Sequence, residues 1–165
     1  MKENLRIRSA DINDTPIILK LIKDLSIYEK LSRQFNNNEE LVKKYLFGEQ
    51  KFAEVLIAEF DDHPVGFALF FHNYCTFVGK PGIYLEDLFV QPKMRGKGIG
   101  KKLFLEIVKI AKDRNCGRVE WSVLNWNKSA IDFYKSMQAI PMDEWTVYRL
   151  TADKIDELAS LRNDS

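Results

Sequence analysis

The sequence predicts one domain of the α/β (α+β) class, with a mixed, mostly antiparallel sheet, a central parallel pair of strands and helices on both faces. Residues 83–90 form an almost continuous apolar run, and a glycine-rich turn, an amphipathic helix and a strand at 118–124 follow it. Such a strand–helix–strand unit requires parallel strands joined by a right-handed crossover. The earlier apolar runs are joined by short turns, which favours antiparallel pairing for them.

Composition narrows the class of protein. The chain has 165 residues, of which 45% are hydrophobic and 30% charged, as expected of one globular domain with a substantial core. A net charge of +1 gives no bulk attraction to nucleic acid or to a membrane surface, so neither is expected as a partner. No apolar run is long enough to span a membrane, and the N-terminal residues lack the apolar core of a secretion signal.

The cysteine pattern indicates no metal and a reducing compartment. Cys75 and Cys116 are the two cysteines, and their spacing matches no metal motif. Because no export signal is evident, we expect unpaired thiols and a cytoplasmic location.

The first half of the chain predicts two helices and three strands. Alternating apolar and basic residues indicate a strand at 5–8, and Asp14-Thr15-Pro16 begins a helix whose apolar stripe runs to about Glu29. Asn37 and Glu40 have the spacing of a capping box, for a helix ending near Gly48. Residues 52–60 and 65–74 indicate paired strands around a turn at 61–64, and a loop is expected at 75–82.

The second half predicts three helices and two further strands after the apolar run. The helix at 101–114 is expected to end with Gly117 as a left-handed cap. Residues 118–124 and 145–150 read as strands, and residues 127–137 as a short helix. A terminal helix at 151–161 is expected to be capped by Thr151.

Three glycines stand at alternate positions, 96, 98 and 100, immediately before the helix at 101–114. Glycine allows positive φ and lets the backbone approach a ligand closely. The free N–H groups of a first helical turn and the positive end of the helix dipole bind phosphate oxygens. Four basic residues add positive charge: Arg95, Lys97, Lys101 and Lys102. This turn is therefore predicted to bind a pyrophosphate.

The glycine spacing separates the possible phosphate ligands. The P-loop pattern and the dinucleotide pattern G-x-G-x-x-G are both absent, whereas Arg95, Gly98 and Gly100 fill [QR]-x-x-G-x-[GA]. With the preceding YLEDLFV run (84–90) and the segment from Trp126-Asn127 to Phe133-Tyr134-Lys135, the chain resembles the GNAT N-acetyltransferases. The resemblance runs from residue 5 to about 150 and is strongest to the diamine (spermidine/spermine-type) acetyltransferases and their bacterial relatives.

This resemblance implies acetyl transfer from acetyl-coenzyme A to a primary amine, without a metal. The pantetheine arm is expected along the strand at 88–90 and the pyrophosphate at the glycine turn. The implied cofactor-binding residues are Leu88, Phe89, Val90, Arg95, Gly96, Lys97, Gly98, Ile99, Gly100, Lys101, Asn127, Ser129, Ala130 and Tyr134. Asn127 could equally be an ordinary helix cap.

Two residues are the candidate catalytic groups. An alkylamine is mostly protonated at neutral pH, so the reaction needs a base as well as an acid for the thiolate. The resemblance places Tyr134 near the coenzyme sulfur as the acid; the alternative is a core aromatic. Glu86 is the candidate base, acting through water, because a carboxylate in an apolar strand is costly unless paired or functional. Neighbours on a regular strand face opposite sides, so either Glu86 or Asp87 should face the site, and the other solvent or an arginine.

The implied acceptor is a small cationic amine: a polyamine, a diamine or a lysine-like amino acid. The residues brought to the acceptor side are Tyr28, Glu29, Glu86, Glu120, Trp121 and Ser122. The carboxylates among them could also be ordinary solvated charges, and Trp121 could simply pack. A protein or peptide acetyltransferase and a non-catalytic coenzyme-binding module stay open as alternatives. The family also implies a homodimer, with residues 140–150 as a possible interface.

The sequence departs from the family at one position. The family usually has glycine soon after the Phe-Tyr-Lys segment, where this chain has Gln138. A left-handed Gln138 would cost roughly 1 kcal/mol relative to glycine.

Overall fold

Five strands lie in chain order across one mixed sheet in the computed structural model, which describes residues 4–161. They are β1 (Leu5–Ser9), β2 (Glu54–Phe60), β3 (His63–Cys75), β4 (Lys80–Val90) and β5 (Val119–Glu120). The first three pairings are antiparallel, and β4 pairs with β5 in parallel. The predicted mixed sheet with a parallel pair is confirmed.

Five α-helices accompany the strands over the described residues. They are α1 (Thr15–Tyr28), α2 (Glu39–Leu46), α3 (Ile99–Asp113), α4 (Lys128–Ser136) and α5 (Ala152–Ser160). Short 3-10 turns occur at Ile12–Asp14, Ser32–Gln34 and Pro92–Met94. The chain divides into two compact units, one running to Leu124 and the other beginning at Asn125.

Helices cover both faces of the sheet in the first unit. One core cluster joins α1 and α2 to alternate residues of β2, β3 and β4, including Ile57, Phe67 and Phe89. The intervening strand residues face α3: a β-carbon at Gly100, in the first turn of α3, would lie 3.8 Å from Cγ2 of Val90. The period-two alternation of the strands therefore supplies two apolar layers, one for each set of helices.

A β-bulge interrupts the pairing of β3 with β4. Leu69 lies opposite Asp87 and Phe70 lies opposite Leu85, so Glu86 is an extra residue on β4. An extra residue changes which side chains share a face and bends the strand locally. The regular strand pairing that underlies the expected alternation of Glu86 and Asp87 is therefore interrupted at this point.

Several predicted boundaries move by a few residues. The cap of α2 is Asn38, whose Oδ1 accepts from the N–H of Leu41 at 2.9 Å, and not Asn37. The predicted loop at 75–82 is shorter, because β4 already begins at Lys80 and contains Pro81, which the start of a strand tolerates. Strand β5 comprises only two of the seven residues predicted at 118–124.

The cap predictions have three different outcomes. At the end of α3 the left-handed residue is Asn115, with φ 53°, and not Gly117; asparagine tolerates this conformation. Thr151 stands at the N-cap position of α5, but its hydroxyl donates to the carboxylate of Asp153 and does not cap the helix. Gln138 does adopt φ 63°, so the strained helix end expected from the missing glycine is confirmed.

The predicted strand at 145–150 is wrong. Over the described residues this segment has no strand assignment, although it is rich in strand-favouring side chains. Strand propensity takes effect only where a neighbouring strand accepts and donates the ladder hydrogen bonds. Several of its large apolar side chains are exposed, including Trp145 at 74%, Val147 at 79% and Tyr148 at 90%.

Candidate active site

The parallel strands β4 and β5 separate soon after they meet. Their ladder consists of Ile83 opposite Val119 and Tyr84 opposite Glu120. Beyond Tyr84, β4 continues to Val90 without a ladder partner on this side in the described part of the chain. Backbone N–H and C=O groups on such an edge can bind an extended ligand. The parallel pair therefore separates beyond Tyr84, and the edge of β4 that it leaves unpaired includes residues 88–90.

The bulge stands where the separation begins, and it brings two carboxylates to one region. Asp87 pairs with Leu69 and shares with Phe89 the face that packs toward α1. Glu86 is exposed, whereas Asp87 is partly buried. Burial, followed by the negative charges of Glu86 and Glu29, raises the pKa of Asp87 to about 7. Asp87 is the neighbour of Glu86, the base that the sequence predicted.

The end of α1 supplies the third carboxylate of this region. Helix α1 ends as Lys30 takes the left-handed conformation, with φ 61°, and the Leu31 N–H donates to the Ser26 carbonyl at 2.8 Å. This termination fixes Glu29 as the last residue before the turn. Burial raises the pKa of the Glu29 carboxyl group. The charges of Glu29 and Glu86, two residues that the sequence placed on the acceptor side, both act on Asp87.

Arg95 ties α1 to the end of β4. Its guanidinium carbon lies 4.0 Å from the centre of the Tyr28 ring, and its Nε donates to the Val90 carbonyl oxygen at 3.0 Å. The same guanidinium is 5.8 Å from the Phe89 ring centre. The first residue of the glycine motif therefore contacts both α1 and the end of β4.

The glycine turn has the geometry of an anion-binding helix start. Gly96 and Gly98 have φ of 79° and 77°, and Gly98 is the N-cap of α3. No atom among residues 4–161 lies within 4 Å of a β-carbon built at either position, so the backbone angle alone requires glycine there. The N–H groups of the first turn of α3 have no partner within the helix.

The basic residues at this turn differ in what they contact. Lys97 lies over the ring of Phe60 at 4.5 Å, and Lys101 is exposed. Lys102 donates its Nζ to the Leu5 carbonyl oxygen at 2.9 Å, which ties α3 to β1.

The predicted acceptor residues in β5 and just after it contact different parts of the structure. The Glu120 carboxylate pairs with Nε of Arg118 at 2.7 Å, and the Ser122 hydroxyl lies 2.9 Å from the Tyr84 hydroxyl. Trp121 packs edge-on against Phe104 of α3, with ring centres 5.3 Å apart. Trp121 therefore packs against α3, and Glu120 is an ion-paired carboxylate.

The second unit carries the remaining predicted residues on α4. Asn127 caps this helix, since its Oδ1 accepts from the Ala130 N–H at 3.3 Å. The helical spacing places Tyr134 two turns further along. Its side chain is partly buried and its ring contacts that of Phe133, with centres 5.3 Å apart.

The mixed sheet with its parallel pair, and the glycine turn with the geometry of an anion-binding helix start, define the class as an α+β protein. The family model described as the Acetyltransferase (GNAT) family matches residues 25–138. The chain is 38% identical to the thialysine N-epsilon-acetyltransferase of Bos taurus, over 93% of this chain and 96% of that protein. It is 31% identical to L-ornithine N5-acetyltransferase NATA1 of Arabidopsis thaliana, over 94% of this chain and 88% of that protein.

Solved structures share the fold of this chain. An integron cassette protein from the mobile metagenome of V. cholerae matches with a TM-score of 0.81 at 27% identity, covering 94% of this chain and 97% of that one. An aminoglycoside acetyltransferase from an uncultured soil metagenomic sample shares the fold, with a TM-score of 0.76 at 23% identity and coverage of 89% and 95%. The chain belongs to the GNAT acetyltransferase family, and it is an acetyltransferase.

Proposed function

We propose that this enzyme transfers an acetyl group from acetyl-coenzyme A to the primary amine of a small cationic acceptor, such as a polyamine, a diamine or a lysine-like amino acid. The observation that carries the proposal is the carboxylate cluster of Glu29, Glu86 and Asp87 beside the splayed strands. Three carboxylates attract a cationic acceptor. The printed names of the relatives, which refer to thialysine and ornithine, support this acceptor class.

The cofactor is proposed to bind along β4 and at the start of α3. Backbone groups of residues 88–90 would hold the pantetheine arm and polarise the thioester carbonyl, as pre-positioned donors do for developing oxyanions. The pyrophosphate would accept hydrogen bonds from the turn at 96–101, with Arg95, Lys97 and Lys101 contributing positive charge. Asn127, Ser129 and Ala130, at the start of α4, are also proposed as cofactor-binding residues.

The chemistry requires a base and an acid. A carboxylate at the bulge takes the proton of the acceptor ammonium, with Glu86 as the sequence-based candidate. The free amine attacks the thioester carbonyl, and the coenzyme leaves as a thiolate. Tyr134 is proposed to protonate that thiolate. The acceptor would be oriented by Tyr28, Glu29, Glu120, Trp121 and Ser122 in addition to Glu86.

The test is acetyl-coenzyme A-dependent thiol release with thialysine, ornithine, spermidine, diaminopropane and a lysine-containing peptide. Turnover is expected on a small amine, and Tyr134→Phe is expected to lower kcat about a hundredfold or more. Tyr74→Phe is the matched control, because Tyr74 lies at the end of β3 and is 63% exposed. Turnover on the peptide alone would establish the alternative of a peptide acetyltransferase, and coenzyme binding without turnover a non-catalytic module.

A homodimer formed through residues 140–150 is also proposed. Support comes from the large apolar side chains that this segment exposes, since such surfaces commonly mark interfaces. Sedimentation velocity should give a dimer for the wild type and a monomer for a Trp145→Ser, Val147→Ser double variant. The proposed location is the cytoplasm, in keeping with the free thiols of Cys75 and Cys116. Over the described residues, no helix is long and apolar enough to cross a membrane.

A further inference from the structure

We propose that Tyr28 is a positioning residue of the coenzyme site, because its ring holds the Arg95 side chain at the entrance to the pyrophosphate-binding turn. The proposal rests on the proposed binding of acetyl-coenzyme A and deepens it, since the sequence placed Tyr28 on the acceptor side. Its structural basis is the stacking of the Arg95 guanidinium on the Tyr28 ring, with the guanidinium carbon 4.0 Å from the ring centre.

The ring of Tyr28 is a rigid surface. Tyr28 is the last residue of α1, and it packs against the core cluster with its ring centre 6.3 Å from that of Phe89. Packing on a core holds a side chain in one rotamer. Arg95, by contrast, is exposed, and a free arginine side chain has many rotamers. The ring therefore restricts the conformations of Arg95.

The Arg95 side chain closes the connection that leads from β4 into the glycine turn. Its Nε donates to the carbonyl oxygen of Val90, the last residue of β4, at 3.0 Å. Inside this closed segment the Met94 N–H donates to the Gln91 carbonyl oxygen at 2.8 Å. Gly96, the first left-handed residue of the turn, follows Arg95 directly. The position of Arg95 therefore sets where the anion-binding turn begins.

A second contact joins α1 to the same connection. The side-chain amide of Gln91 donates to Asp24 Oδ2 at 3.5 Å. Asp24 and Tyr28 are four residues apart on α1, so they lie on one face of the helix, one turn from each other. Two contacts a turn apart fix how the end of α1 meets the connection between β4 and α3.

Stacking leaves the anion-binding edge of the guanidinium available. A guanidinium has five N–H donors in its plane, and the Val90 bond uses the one on Nε. The ring of Tyr28 contacts the face of this plane, whereas phosphate oxygens accept from the donors at its edge. Loss of the ring would release Arg95 and weaken the turn, so we expect weaker binding of the coenzyme pyrophosphate.

The first measurement is calorimetric binding of coenzyme A to the wild type, Tyr28→Phe, Tyr28→Leu, Arg95→Met and the Tyr28→Leu, Arg95→Met double variant. Tyr28→Phe keeps the stacked ring and should keep the Kd, whereas Tyr28→Leu should raise the Kd about tenfold. In the Arg95→Met background Tyr28→Leu should have no further effect, because the ring then has no guanidinium to hold. Tyr45→Leu is the matched control: this ring, on α2, lies 5.0 Å from Nζ of Lys44, and its loss should leave the Kd unchanged.

The second measurement separates this role from a general defect at the end of α1. S-acetylpantetheine carries the thioester and the pantetheine arm but has no pyrophosphate. At saturating acceptor, Tyr28→Leu should lower kcat/KM for acetyl-coenzyme A about tenfold and leave kcat/KM for S-acetylpantetheine within about twofold of the wild type. A structural defect at the acceptor side would lower both values. Circular dichroism checks that each variant folds.

The outcomes distinguish the assignment of Tyr28 from the proposed function. An unchanged Kd in Tyr28→Leu, an equal loss in Tyr28→Phe, an additive double variant, or equal losses with both thioesters would overturn the assignment of Tyr28 alone. If Tyr28→Leu fails to fold, Tyr28→Met replaces it with the same expectations, because methionine fills the space without an aromatic face. Failure of the wild type to bind coenzyme A would overturn the proposed function and this assignment with it.

Discussion

Replacing Asp87 with asparagine should change how the stability of the folded chain depends on pH. The pKa of Asp87 is raised from 3.8 to about 7 in the fold, so the folded state binds this proton more tightly than the unfolded chain. Such a group stabilises the fold fully below about pH 4, and its contribution is lost as pH rises through 7. Asparagine does not titrate, so the Asp87→Asn variant does not lose stability through this group as the pH rises.

The magnitude follows from the same difference in pKa. A rise from 3.8 to about 7 spans roughly three pKa units, and each unit corresponds to about 1.4 kcal/mol, which gives an upper limit of about 4 kcal/mol. Asp87 is only partly buried, so water screens it and roughly half of this limit is the expected value. The free energy of unfolding of Asp87→Asn, minus that of the wild type, should therefore rise by about 2 kcal/mol from pH 4 to pH 8.

Urea unfolding followed by circular dichroism at half-unit pH steps measures this difference. Subtraction of the wild-type curve removes the titration of all other groups that the two proteins share, including Asp14, whose shift has the opposite sign. Asp156→Asn, at an exposed position of α5, is the matched control and should give a flat difference. A difference for Asp87→Asn that stays constant within about 0.5 kcal/mol would refute the argument that burial and like charges act on this carboxyl group.

Three further perturbations test other parts of the chain. Arg8→Met should lower the free energy of unfolding by about 2 kcal/mol, because it leaves the partly buried carboxylates of Asp14 and Glu59 unpaired; Lys20→Met, in an exposed pair, is the control. Gln138→Gly should raise it by about 1 kcal/mol by removing the left-handed strain, with Gln138→Ala giving no gain. Gly98→Ala should lower the free energy of unfolding by about 1 kcal/mol, because φ is 77° at Gly98, whereas Gly100→Ala should not lower it. Urea unfolding measures the free energy of unfolding for each of these variants.

Local signals were sufficient for the elements around the cofactor turn. An apolar run ending at a proline, alternating glycines and a 3.6-residue apolar stripe are properties of neighbouring residues, and β4, the turn and α3 follow them. The misplaced cap of α2 shows the limit of the same reasoning, because Asn37 and Asn38 are adjacent and either could cap. The strand expected at 145–150 failed for a different reason, since a strand depends on a partner that propensity does not reveal.

The bulge in β4 is the feature of the candidate site that the sequence did not predict. Whether Glu86 or Asp87 faces the core depends on how β4 pairs with β3, and register is a tertiary property. A signal was nevertheless present: two adjacent carboxylates inside an apolar strand that is covered on both faces. In a regular strand one of the two would have to be buried against each helix layer, at a desolvation cost of several kcal/mol without a partner.

An extra residue resolves this conflict, because it frees one carboxylate from the alternation. Glu86 becomes exposed, and Asp87 remains in partly buried surroundings beside Glu29. The bulge at Glu86 lies two residues beyond Tyr84, where the pairing of β4 with β5 ends. The bend that exposes Glu86 is therefore next to the unpaired edge of β4. Deleting Glu86 would keep Asp87 opposite Leu69 and Leu85 opposite Phe70, but it would remove the extra residue and its bend. We expect this deletion to lower activity more than Glu86→Gln, which keeps the bulge, and thiol release by the two variants compares them directly.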